Sequence, residues 1–92
     1  MSRVSRTLTI VNQKGLHARA SAKFVTFVSR LPDGLKVHVE KDGQTVTGTS
    51  IMGLMMLGAA KGSDIVIHIE GEDSEMALEK LAGLVTDGFG ED

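Results

Sequence analysis

The feature that most constrains this chain is a hydrophobic period that switches repeatedly between two residues and 3.6. In residues 7–11, Leu8 and Ile10 alternate with threonine, the repeat of a strand with one buried face. After a loop at 12–15, apolar residues recur at Ala20, Phe24, Phe27, Val28 and Leu31. They form one stripe of a helix starting at about Ala18, and Pro32-Asp33-Gly34 predicts its end. Leu35, Val37 and Val39 then alternate with Lys36, His38 and Glu40, and a further short strand spans 44–47. Asp42-Gly43 between these runs is the sequence of a type I′ hairpin.

The apolar stretch 50–57 contains Gly53 and is read as a short helix capped by Ser50 or Thr49. Ile65, Ile67 and Ile69 alternate with Val66, His68 and Glu70 in a fourth strand. Asp73 or Ser74 is expected to cap a last helix with the stripe Ala77, Leu78, Leu81, Leu84 and Val85. Residues 88–92 are expected to fray. The order βαββαβα packs most simply as an α+β open-faced sandwich, a four-stranded antiparallel sheet with helices on one face. A chain of 92 residues has room for one such domain, spanning 1–92.

Composition removes several classes of function. The formal charge is −2 with no block of Lys or Arg, so nucleic acid and acidic membrane have no electrostatic attraction to offer. The absence of Cys excludes disulfides, thiol catalysis and thiolate metal sites. Residues 1–12 lack the apolar stretch of a signal peptide. The segment 51–60 is too short and too glycine-interrupted to span a bilayer. A soluble cytoplasmic protein is the expectation. His38 and His68 fall on the polar phase of strands and are read as surface residues. The three His have no local metal spacing, so no metal or other cofactor is expected.

His17 stands apart because it lies between the Gly15 turn and the start of a helix, where unpaired backbone N–H groups attract anions. Gly15 tolerates the positive φ of a sharp bend. Arg19, in the same first turn, adds a planar cation suited to phosphate oxygens. Spacing alone leaves His17 open to being a cap or an ordinary surface residue.

The segment Asn12-Gln13-Lys14-Gly15-Leu16-His17-Ala18-Arg19-Ala20-Ser21 resembles the active-site motif of the HPr family. Ser50-Ile51-Met52-Gly53-Leu54-Met55-Met56-Leu57-Gly58 resembles that family's second signature. The likeness runs from about Leu8 to Val85. It implies a phosphocarrier of the bacterial phosphoenolpyruvate-dependent phosphotransferase system, a protein-level transfer component rather than a turnover enzyme on small molecules. In that reading His17 is the histidine phosphorylated on Nδ1, and Gly15, Ala18 and Arg19 receive the phosphoryl group. Ser50 is the regulatory serine. Ala22, Ile51, Met52 and Met55 form the surface that docks the donor, enzyme I, and the enzyme IIA acceptors. A kinase/phosphorylase acting on Ser50 is a further implied partner. Many members carry Pro where this chain has Ala20, which resembles a nitrogen-related, regulatory branch.

Two other classes share parts of this reading. A pure interaction module would use the state of His17 only to switch binding through Met52 and its neighbours. A ferredoxin-like ligand-binding domain has the same layers, but gives no account of residues 15–19. Ser50 as a plain helix cap and the Met-rich stripe as core are the structural alternatives at those positions.

Overall fold

Asp42 and Gly43 both adopt positive φ, 51° and 83°, as the two central residues of a type I′ turn must. They join β2 (Lys36–Lys41) to β3 (Gln44–Thr47) in the expected hairpin. The computed structural model describes residues 3–91, so Met1 and Ser2 at the amino end and Asp92 of the expected frayed tail lie outside it. β1 (Arg3–Thr9) and β2 both pair antiparallel with β4 (Asp64–Glu70), which gives the strand order β1-β4-β2-β3. The period-two pattern fixes the register. Leu8, Val37, Val39, Ile65, Ile67 and Ile69 all point to one face and are buried, so a slip of one residue would turn each of them to water.

That face is covered by α1 (Ala18–Ser29) and α3 (Ser74–Thr86). Ala20, Phe24 and Val28 of α1, with Ala77, Leu78, Leu81 and Val85 of α3, complete the core. Phe27, Leu31 and Leu84, on the expected stripes, are only partly buried. The short α2 (Ile51–Met56) packs beside α1 and β3 and buries Leu54. The four-stranded antiparallel sheet with its helices on one face is therefore the open-faced sandwich expected from the sequence.

Three local expectations are revised. β1 begins at Arg3, where Arg6 breaks the alternation and pairs instead with Glu79 of α3. At the start of α3, Asp73 occupies the N-cap position with φ 60° but its side chain makes no capping bond, and Ser74 is the first helical residue, buried. The tail is not frayed over its described residues. Gly88–Gly90 forms a tight turn in which Phe89 takes left-handed angles, φ 58° and ψ 24°, and is 1% exposed in the core. Burying one phenylalanine contributes about 1.5–3 kcal/mol, enough to hold a segment whose glycines and terminal position argue for freedom.

Candidate functional site

The loop between β1 and α1 is held from below. Gly15 has φ +63°, and a Cβ placed there would lie 2.2 Å from the Ala59 carbonyl oxygen, so this close approach requires glycine. The Leu16 N–H donates to that same carbonyl at 2.9 Å. The Asn12 amide donates to the Gly15 carbonyl at 2.8 Å. Gly15 is buried and its own N–H donates to the Asn12 carbonyl at 3.2 Å. Its contribution is therefore the shape of the turn, while free donors come from farther along the chain.

His17 is the N-cap residue of α1, in extended backbone with φ −74° and ψ −178°. The Ser21 N–H donates to the His17 carbonyl at 2.9 Å, and with this as the first helical bond the N–H groups of Ala18, Arg19 and Ala20 have no partner within the helix. No acidic side chain of α1 itself occupies the first turn, so any carboxylate facing the partial positive charge of the helix end comes from elsewhere in the chain. Ala18 and Arg19 are exposed. Together with His17, Gln13, Lys14, Lys23, Gly90 and Glu91, Arg19 lines a shallow depression of about 360 Å³.

Sequence reasoning missed Glu91. The Nε2 of His17 lies 2.6 Å from Glu91 Oε2, and Asn12 Nδ2 donates to Glu91 Oε1 at 3.0 Å. The Asn12 bond most of all, followed by the bond and charge of His17 and the charge of Lys23, holds the Glu91 carboxyl below its usual range against the opposing effect of burial. An ionised carboxylate only accepts, so His17 donates through Nε2–H, and in the neutral ring the lone pair lies on Nδ1. The signal for Glu91 was Phe89, a single aromatic among glycines, whose burial brings the tail to His17.

Ser50 caps α2, its Oγ accepting from the Gly53 N–H at 2.9 Å. Beside it Ile51 and Met55 are each 41% exposed and Met52 is 68% exposed, so these side chains are surface and not core. Ala22 on α1 is half-buried. Met56, 74% exposed, extends the apolar surface beyond the expected residues. Ser50 thus borders the patch while serving as a cap. His38 is exposed on the uncovered sheet face, whereas His68 is part-buried there, bonded to Ser5 and Glu40. No group of three or more His, Asp or Glu able to hold a metal ion occurs among the described residues, and none of their helices is long and apolar enough to cross a membrane.

A family model described as "PTS HPr component phosphorylation site" matches residues 4–87. The phosphocarrier protein HPr of Pseudomonas aeruginosa is 45% identical over 85 residues, covering 91% of this chain and 92% of the relative. Among solved structures, an HPr from Thermoanaerobacter tengcongensis superposes with a TM-score of 0.87 at 40% identity, covering 100% of this chain and 99% of that one. One from Bacillus anthracis gives 0.84 at 41% identity, covering 92% and 99%. These matches carry the family and no particular branch of it. With a histidine at a helix start, the antiparallel open-faced sandwich around it and relatives matched over nearly their whole length, the chain belongs to the HPr family of phosphocarrier proteins of the phosphotransferase system.

Proposed function

We propose that this chain accepts a phosphoryl group on His17 from phosphorylated enzyme I and passes it to enzyme IIA-type proteins in the cytoplasm. The observation that carries this reading is the position of His17. His17 is the N-cap residue of α1, whose Ala18 and Arg19 N–H groups have no partner within the helix, and it lines a depression open enough for another protein to reach. Donors at a helix end and the Arg19 guanidinium bond phosphoryl oxygens without adding a deep cavity. A carrier needs this shallowness, because each 1.4 kcal/mol of excess stabilisation of the loaded state slows onward transfer about tenfold.

Docking falls to the exposed apolar surface of Ile51, Met52 and Met55 with Ala22 on the neighbouring helix. Unbranched, polarisable methionine side chains adapt to several partners, as a protein with one donor and several acceptors requires. Ser50 is the regulatory position and a kinase/phosphorylase its modifying partner. A phosphate there adds about two negative charges at the edge of an apolar surface, repelling a partner without unfolding α2. Phosphoryl acceptance from enzyme I by a Ser50→Asp chain at the unmodified rate would remove this role.

The direct test incubates the chain with phosphoenolpyruvate and enzyme I and follows acid-labile phosphate, then adds an enzyme IIA. Label is expected on the native chain, absent from His17→Ala, and transferred to the acceptor. Acid-labile label persisting on His17→Ala would move the function to another residue. Label that forms but never leaves for an acceptor would favour the switch-only interaction module.

A further inference from the structure

Resting on the phosphocarrier reading, we infer that Glu91 is a positioning residue for the reaction: its carboxylate holds the Nε2–H of His17, so that Nδ1 carries the lone pair to the incoming phosphoryl group. A neutral imidazole has one protonated and one lone-pair nitrogen, and which is which follows from the bond made by the other. Here Glu91 Oε2 occupies Nε2 at 2.6 Å, and only Nδ1 remains for attack.

The carboxylate is itself fixed from several sides. Asn12 Nδ2 donates to its second oxygen at 3.0 Å, and the Glu91 N–H donates to the Gly88 carbonyl at 3.0 Å. Lys23 Nζ donates to the Phe89 carbonyl at 2.7 Å, and the Phe89 ring is sunk in the core. Glu91 is thus delivered by a segment with its own anchors rather than by a swinging side chain. The arrangement has the logic of a carboxylate that orients a catalytic imidazole.

In the transfer step the Nδ1 lone pair forms the bond to phosphorus. The donor's bond to phosphorus breaks, and its electron pair returns to the donor. Nε2 keeps its proton throughout, and the positive charge that develops on the ring faces the Glu91 carboxylate. Onward transfer is the reverse, with the ring's electron pair returning to Nδ1 as the acceptor bonds phosphorus. Glu91 touches no reacting atom and acts only through the imidazole.

The test uses the full chain with Glu91→Gln and Glu91→Ala. Nitrogen-15 NMR of the neutral, unphosphorylated His17 ring reports the two tautomers without any partner. Loss of one net hydrogen bond in Glu91→Ala is expected to raise the Nδ1–H form relative to Nε2–H about fivefold. The initial rate of phosphoryl acceptance from enzyme I should fall about threefold to tenfold in Glu91→Ala, and less in Glu91→Gln, which keeps an acceptor but not the charge. The tautomer ratio separates this from simple fastening of the tail, since both roles lower the melting temperature but a fastening role leaves the ratio alone. An unchanged tautomer ratio in Glu91→Ala, or an unchanged rate, would overturn the inference. If the native chain takes no phosphate at all, the phosphocarrier reading fails, and the tautomer comparison still decides whether Glu91 orients the ring.

Discussion

Two histidines in this molecule make the same bond to a glutamate and are chemically unlike. His17 Nε2 is 2.6 Å from Glu91, and His68 Nε2 is 2.8 Å from Glu40. His68, however, sits inside β4 with Ser5 Oγ 2.6 Å from its Nδ1, so both ring nitrogens are engaged across the sheet. His17 has a free nitrogen and a helix end beside it. On the proposed function a carboxylate partner does not by itself make a histidine reactive. The free lone pair and the helix-end donors are what that reading adds at His17, and both follow from where the backbone places the ring. On the uncovered sheet face Ser5, His68 and Glu40 bond across strands, whereas the loop end leaves Nδ1 of His17 open.

The sharpest way to break this contrast is to delete each imidazole in turn. His17→Ala is expected to reduce phosphoryl acceptance from enzyme I at least about a hundredfold, and His68→Ala to leave it within about twofold. Comparable losses in the two variants, each still folded by circular dichroism, would show that the sheet-face histidine takes part and that the contrast is wrong.

The loop that distinguishes His17 can be disturbed without touching the ring. Gly15→Ala would place a methyl group into the Ala59 carbonyl at positive φ, so we expect a loss of at least about 2 kcal/mol in urea unfolding. Because the Leu16 N–H bond to Ala59 locates the helix start, the same variant should also accept phosphate more slowly. Unchanged stability would mean that the loop is not braced on the α2–β4 connection as the structure has it.

The sequence made the framework legible because the framework is periodic. Leu8, the valines of β2 and the isoleucines of β4 declare a buried face by alternation alone, and Asp42-Gly43 declares its turn through the backbone angles it permits. His17 stood out for a local reason, standing between Gly15 and an amphipathic stripe, but its expected role came from the resemblance to the HPr motif. Glu91 was not, because it meets His17 across 74 positions of sequence through one buried phenylalanine, and a lone aromatic between glycines has no period to read. The Ser5–His68–Glu40 chain was hidden in the same way. Alternation places these residues on one face, but only the register of three strands brings their atoms together.

A milder perturbation sharpens the contrast from the sheet side. Ser5→Ala removes the bond to His68 Nδ1 and frees that nitrogen, at a cost of about 0.5–1 kcal/mol in stability. Phosphoryl acceptance should still occur only at His17, since a free lone pair on the sheet face lacks the helix-end donors. Acid-labile label on His68 in a Ser5→Ala, His17→Ala chain would show that a free nitrogen alone suffices.

The smallest expected effect concerns pH and separates the two carboxylates. The Glu91 carboxyl titrates below its usual range, first because of Asn12 and then because of His17 and Lys23. A depressed folded value means that Glu91 favours the native state fully above the unfolded carboxyl pKa and loses this contribution as pH falls through its lowered native value. The stability difference between the native chain and Glu91→Gln, measured by urea unfolding across an acid titration, should therefore be positive near neutrality. It should shrink only once the pH has passed below the ordinary glutamate range. A Glu40→Gln series serves as the reference on the sheet face. If the Glu91 difference were constant across the titration, or grew as pH fell, the carboxylate would not be the ionised partner of His17, and the two histidines would have to be told apart by their backbone surroundings alone.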